Sequence, residues 1–335
     1  MICPRKIVAA AMALWLLTPA AALPQGDPRA RIRTTVELVV VPVTVKDPAG
    51  NLVPDLRQDE FRIFEDGVEQ KITLFSADPF PLSVVLLLDN GLKLKTARQV
   101  GSSLRAIAAG FSDLDEVSIC RFDTQLEQLA DFTTDNGKIL DQLKRLELDQ
   151  RFPGQGSGPM TAGPRINAAP APGAPSRAQM PLASPGDKNI DDAIFAAGQL
   201  LRGRERGRRK IVYLISDGLN SRHNAVSFDD AIKLLLSADI SVYAIGVGEA
   251  VLNRGTSVLS KYAHATGGDV FYAARRADLE SLYSLVTEEA RNQYTLAYVP
   301  QNKKSGVEYH SVEVRVERPG LTLLARDGYF AAPTP

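Results

Sequence analysis

Two aspartates stand at the ends of strongly apolar stretches and carry the first chemical signal in this sequence. Asp89 closes the run PLSVVLLLD, in which seven of the eight preceding residues are apolar, and Asp217 closes KIVYLISD. Runs of this kind read as strands buried on both faces of a parallel sheet. In open α/β sheets the carboxyl edge is where ligands bind, so the two carboxylates are expected to share one acidic site. A Gly-containing turn follows Asp89 and leads into a helix. What the site holds depends on the loops around it.

Enzymatic constellations are not evident. His223, His264 and His310 show no metal-ligand spacing and no Cys or Ser partner in register, and read as surface or capping residues. No phosphate-binding or dinucleotide-binding glycine loop follows a strand. The pairs Asp191-Asp192 and Asp229-Asp230 are neighbours on helices and point about 100° apart, so neither is a ready acid/base dyad; near helix starts they suit the dipole. The run RGRERGRRK at 202 to 210 lies where a helix ends and reads as a solvated linker. Equal numbers of basic and acidic residues, 39 each, leave no net charge, which removes a global electrostatic case for nucleic acid or an anionic membrane.

The elements that must position the aspartates follow a clear rhythm. Strands at 82–89, 116–122, 210–216, 240–246 and 268–273 alternate with helical patterns at 93–110, 136–147, 190–202, 227–237, 256–265 and 277–291. With an edge strand near 126–132, this predicts an α/β domain with a doubly wound, mostly parallel sheet. The insertion at 151–187, rich in Pro, Ala, Gly and Ser, has too little apolar area to order and reads as a disordered loop within the domain. Both flanks are β. Residues 32–78 alternate at Val41, Val43 and Val45 and turn at Asp66-Gly67, with Ile72 and Leu74 continuing a hairpin. Residues 293–332 give further strands, two of them joined by Pro319-Gly320. Few strands stand alone, so the two flanks are expected to form one β-sandwich beside the α/β insert.

The first 22 residues carry Arg5 and Lys6, an apolar run from Ile7 to Leu17, and a small-residue stretch ending at Ala22. They read as a secretory signal, too short in its apolar part for the about 20 residues that span a bilayer. Residues 24–34 read as a flexible mature start. The expectation is a periplasmic or secreted protein with no membrane span after cleavage. Cys120 then remains as a lone buried core cysteine, and no intrachain disulfide forms.

An Asp ending the first strand, a turn into a helix, and SDG after a later buried strand together resemble the von Willebrand factor A family over about residues 80–292. The flanks VTVKDPAGNLVPDLRQDEFRIFEDGVEQKITLF, RNQYTLAYVPQNKKSG and RPGLTLLARDGYF are similar to those of bacterial exported proteins related to it. The resemblance implies a metal-ion-dependent adhesion site built from D-x-S-x-S, a Thr on a second loop and an Asp on a third, holding Mg²⁺ through hard oxygens. Carried over, Asp89 and Asp217 match the aspartates, with Asn90 beside them; the serine positions are Gly91 and Lys93, and the threonine position is Lys188. Two of three hydroxyl ligands are thus replaced by ammonium groups, which cannot ligate a cation. We therefore expect Lys93 or Lys188 to stand in for the metal and no bound cofactor; the alternative is a metal site rebuilt from Asp187, Asn189 or Asn90. The resemblance implies a non-enzymatic module that binds a protein partner, or else a structural envelope component that makes its contacts through the β-sandwich.

Overall fold

A computed structural model describes residues 38–146, 148, 165–167, 169–170, 188–254, 257–301 and 309–331. The signal at 1–22, the start at 24–34 and Asp187 lie outside the described residues. Those described belong to one compact unit beginning at Glu37.

In chain order the elements are β1 (Val39–Lys46), β2 (Phe61–Glu65), β3 (Val68–Gln70), β4 (Ile72–Ser76), β5 (Leu82–Asp89), α1 (Leu94–Ser103), β6 (Glu116–Phe122) and β7 (Leu126–Thr133). They continue with α2 (Asn136–Arg145), β8 (Arg165–Ile166), β9 (Ala169–Pro170), α3 (Ile190–Arg202), β10 (Arg209–Ser216), α4 (Phe228–Ser237), β11 (Ile240–Val247) and α5 (Val258–Thr266). The last are β12 (Val270–Ala273), α6 (Arg276–Arg291), β13 (Tyr294–Tyr298), β14 (Tyr309–Val316), β15 (Thr322–Ala325) and β16 (Gly328–Phe330).

The central sheet has the order β12-β11-β10-β5-β6-β7-β8-β9, parallel from β12 through β6 and antiparallel where β7 joins β6. Every residue of β5 is buried, because helices cover both faces. Leu82, Val84, Leu86 and Leu88 pack on the side of α1, α2 and α6; Val85 and Leu87 pack on the side of α3, α4 and α5. This period-2 division between two cores is what turns an apolar run into the middle strand of a doubly wound sheet. The expected helix at 93–110 is α-helical only to Ser103 and continues as a 3₁₀ helix from Leu104 to Gly110. Within the insertion expected to be disordered, β8 and β9 extend the sheet edge beyond β7; the other residues of 151–187, apart from Asn167, lie outside the described residues.

The two flanks build a pair of four-stranded sheets, β15-β1-β13-β4 and β16-β14-β2-β3. Their shared core holds Val41, Val43 and Val45 of β1, Phe61 and Ile63 of β2, Leu296 and Tyr298 of β13, and Val312 of β14. The antiparallel pairing of β1 with β13 joins the two ends of the chain in one layer. One connection differs from the expectation. The Asp66-Gly67 turn links β2 to β3, while β4 crosses to the other sheet. β14 and β15 are joined through Pro319-Gly320 as expected, and lie in different sheets. Alternation marks which face of a strand is buried, and both sheets bury one face against the other, so the pattern does not say which sheet a strand enters.

In the basic run at 202–210, Arg202, Glu205 and Arg206 are exposed, as expected of a solvated linker, while Arg204, Arg208 and Arg209 act as clamps. Arg204 pairs with Glu116 on β6, and Arg208 donates to the Leu114 carbonyl at 2.5 Å. Arg209 donates to the Gln293 carbonyl at 2.6 Å and to Thr295 Oγ1 at 3.1 Å, tying β10 to the start of β13. Burial pushes the Arg209 pKa down to about 10.

Candidate functional site

β5 and β10 run side by side in register, Leu88 opposite Ile215, so their carboxyl ends deliver Asp89 and Asp217 to the same edge. Both side chains are buried, at 0% and 4% exposure. Each carboxylate is held by its own loop. Asp89 Oδ1 accepts from the Gly91 amide at 2.8 Å, and Asp217 Oδ1 from the Leu219 amide at 3.1 Å. Ser216, the last residue of β10, donates its hydroxyl to Asp89 Oδ2 at 2.7 Å and accepts from the Gly218 amide at 3.1 Å.

Lys188 lies between the two aspartates. Its Nζ donates to Asp89 Oδ2 at 3.1 Å and to Asp217 Oδ1 at 2.5 Å, and its side chain is 3% exposed. The stem reaches this place across Gly91. A Cβ on residue 91 would lie 2.5 Å from Lys188 Cδ and 2.6 Å from Cγ, closer than van der Waals contact permits. Gly91 is therefore a spatial requirement of the lysine. Burial pushes the Asp89 pKa up; the Lys188 charge opposes this and Asp217 adds to it.

The backbone around Lys188 is fixed at two points. Its carbonyl accepts from the Ser221 amide at 2.7 Å, and the next amide, Asn189, donates to the Asp123 carbonyl at 2.9 Å. The start of α3 is pinned by two carboxylates that the sequence suggested were dipole partners at a helix start. Asp191 accepts from Asn220 Nδ2 and the Tyr262 hydroxyl, both at 2.8 Å. Asp192 accepts from the amides of Ala225 at 3.1 Å and Val226 at 2.8 Å, and from Asn189 Nδ2 at 3.2 Å. Both are buried, and burial raises their pKa against these hydrogen bonds. Asp229 and Asp230 do open α4, where Ser227 caps the Asp230 amide at 3.1 Å.

Lys93, the other lysine expected to replace a metal, does not reach the aspartates. Its side chain is 70% exposed and pairs with Glu249, in the turn after β11. Its position opening α1 aims it outward along the rim, while Lys188 enters from the loop before α3. Glu249 holds the Lys93 pKa up, and Lys93 holds that of Glu249 down. Asn90 is half-buried; its amide donates to the Phe122 carbonyl at 2.8 Å, and its Oδ1 has no hydrogen-bond partner among the described residues. Among the expected residues, the structure thus brings together Asp89, Gly91, Lys188 and Asp217, with Lys93 on the rim. Ser216 and Glu249 were missed; the Ser before Asp217 was visible in SDG, whereas nothing near Glu249 in sequence points to this edge.

A divalent cation does not fit this donor set. Between the carboxylates stands an ammonium, which has no lone pair to donate, and Gly91 supplies no oxygen from a side chain. Asn189, considered above as a replacement ligand, donates its amide nitrogen to Asp192, while its Oδ1, like that of Asn90, is buried with no hydrogen-bond partner among the described residues; neither oxygen removes the ammonium that stands between the aspartates.

A doubly wound α/β domain with paired aspartates at its carboxyl edge, mounted on a β-sandwich, is the class of protein these features define. Residues 178–285 match the family model of the von Willebrand factor type A domain, and the chain carries such a domain. No curated protein matches the chain. Among solved structures, the chain is similar to a von Willebrand factor type A protein from Catenulispora acidiphila, at 9% identity and a TM-score of 0.44, over 89% of this chain and 75% of that one. It is similar to the conserved hypothetical protein BatB from Bacteroides thetaiotaomicron, at 13% identity and a TM-score of 0.41, over 62% of this chain and 98% of that one. It is also similar to proximal thread matrix protein 1 from the mussel byssus, solved with a zinc occupied MIDAS motif, at 16% identity and a TM-score of 0.42 over 69% of this chain. This chain spans about half the length of that mussel protein, 50%.

Proposed function

We propose that this protein is an exported, non-enzymatic binding module whose adhesion-type edge works without a metal ion, Lys188 supplying the positive charge. The observation that carries this reading is the ion-paired Lys188 between Asp89 and Asp217, with Gly91 making room for its stem. A tethered ammonium compensates the buried carboxylates permanently, so the edge keeps one charge state whatever the metal supply. The partner surface around it is supported by three exposed leucines that follow three neighbouring strands: Leu94 after β5, Leu219 after β10 and Leu252 after β11, the last 84% exposed. Apolar side chains beside the Lys93–Glu249 pair have the composition of a protein contact: an apolar centre and a charged rim. Export rests on the signal-like residues 1–22.

Capture of envelope proteins on the immobilised protein, with and without EDTA, tests the reading. Partners retained in EDTA and lost with Leu219→Asp plus Leu252→Asp support it. A set unchanged in that variant but lost when the β-sandwich surface is altered favours a structural envelope component instead, and a set released by EDTA contradicts metal independence.

A further inference from the structure

Strand β2 presents Phe61, Ile63 and Glu65 to the core of the sandwich, so alternation places a carboxylate where an apolar side chain belongs. Glu65 is 4% exposed, and its Oε2 has no hydrogen-bond partner among the described residues. A buried carboxylate with one oxygen left unpartnered is costly enough to need an explanation. Its surroundings supply one. Asp66, in the turn that follows, and His310, on the neighbouring β14, point ligand atoms at it, and one atom from each of the three lies within 4.8 Å of the others. His310 Nδ1 is 2.8 Å from Asp66 Oδ2 and 3.7 Å from Glu65 Oε1.

The arrangement is braced from outside, as ligand sets are. Asp66 Oδ1 accepts from the Ser311 amide at 3.0 Å and its hydroxyl at 3.3 Å, leaving Oδ2 for the centre. The His310 ring stacks on Tyr329 with centroids 5.3 Å apart and planes 24° from parallel. The Tyr298 hydroxyl, from β13 across the core, is buried with no partner of good geometry; its pKa is raised by burial and then by Glu65. Arg326, the cation stacked over Tyr329, donates to Asp239 and to the Val40 carbonyl. Asp66 is half-exposed, which opens one side of the cluster to solvent.

We propose that Glu65, Asp66 and His310 form a binding site for a first-row divalent cation, independent of the carboxyl edge of the α/β domain. Two carboxylates and one imidazole suit zinc, cobalt or manganese, with solvent completing the coordination. The ion neutralises the two carboxylates and ties the β2 turn to β14, fastening one sheet of the sandwich.

The probes are Zn²⁺ by isothermal titration and Co²⁺ by visible absorption, on the full chain. One equivalent of Zn²⁺ binds, the melting temperature rises, and Co²⁺ gives a ligand-field spectrum. Asp66→Asn is the cleanest variant, since asparagine tolerates the positive φ of 49° there as aspartate does; it weakens Zn²⁺ binding about tenfold or more. His310→Ala abolishes it, while Asp217→Ala leaves it unchanged. No saturable binding to the wild type, or an affinity equal in Asp66→Asn, overturns the proposal. Loss of binding in Asp217→Ala with retention in Asp66→Asn also overturns it, and moves the ion to the carboxyl edge.

Discussion

The stem of Lys188 crosses Gly91 so closely that the two positions constrain each other: a Cβ at residue 91 would lie 2.5 Å from Lys188 Cδ. Where the family pattern has a serine and a threonine, this chain has a glycine and a lysine that fit only together.

Gly91→Ala forces that clash and is expected to destabilise the protein by about 1–3 kcal/mol, the usual cost of overpacking. The same substitution beside Lys188→Ala costs much less, because the stem is gone. A double-mutant cycle by denaturant unfolding measures the difference; additive effects would mean that the stem does not cross Gly91.

Lys188→Met removes the only ammonium bonded to Asp89 and Asp217 among the described residues. It leaves two buried carboxylates facing each other, a loss of roughly 3–5 kcal/mol near neutral pH. Without the lysine the Asp89 carboxyl loses the charge that opposes the effect of its burial, so its pKa rises further and the deficit shrinks as pH falls and a proton replaces the missing charge. Unfolding at pH 7.5 and pH 4.5 checks this; an equal deficit at both would contradict it.

A second pH dependence lies at the junction of sandwich and α/β domain. Lys46 of β1 pairs with Asp269 at 2.5 Å and with Glu289 of α6 at 2.6 Å. Burial is the main cause pushing the Glu289 pKa from 4.5 to about 7; Lys46 opposes it and Asp269 adds to it. A carboxyl group whose folded pKa is raised stabilises most below its unfolded value, and that contribution is lost as pH rises through the folded one. Stability should therefore decline between about pH 4.5 and 7 by an amount on the order of 3 kcal/mol from this group alone. Glu289→Gln flattens that part of the profile, and a profile of unchanged slope would show that Glu289 is not the titrating group.

Restoring the hydroxyl ligands by Gly91→Ser, Lys93→Ser and Lys188→Thr together rebuilds the oxygen set that Mg²⁺ prefers around the two aspartates. The triple variant is expected to gain a Mg²⁺-dependent rise in melting temperature that Asp217→Ala removes. No response to Mg²⁺ in a folded triple variant would mean that more than these three side chains separates the edge from a metal site.

The sequence made the scaffold legible and left the partners of single side chains hidden. β5 and β10 each carry an unbroken apolar run, 84–88 and 211–215, because both faces are covered, so their ends, and with them Asp89 and Asp217, could be placed directly. Which lysine would fill the site could not be read, since Lys93 and Lys188 are chemically alike and differ only in the direction from which their loops approach. The burial of Asp191 and Asp192 was hidden for a related reason: their partners, at Asn220, Ala225, Val226 and Tyr262, are brought to α3 only by the fold. His310 reads as a surface residue from its type alone, although alternation in β14 places it on the same face as Val312 and Val314, and it is buried against Glu65 and Tyr329.

The central claim is that Lys188 occupies the place of a metal ion, and titration of the wild type with Mg²⁺ and Mn²⁺, in parallel with Asp217→Ala, tests it most directly. The account predicts that no binding isotherm differs between the two proteins. Micromolar binding to the wild type that disappears in Asp217→Ala would contradict it.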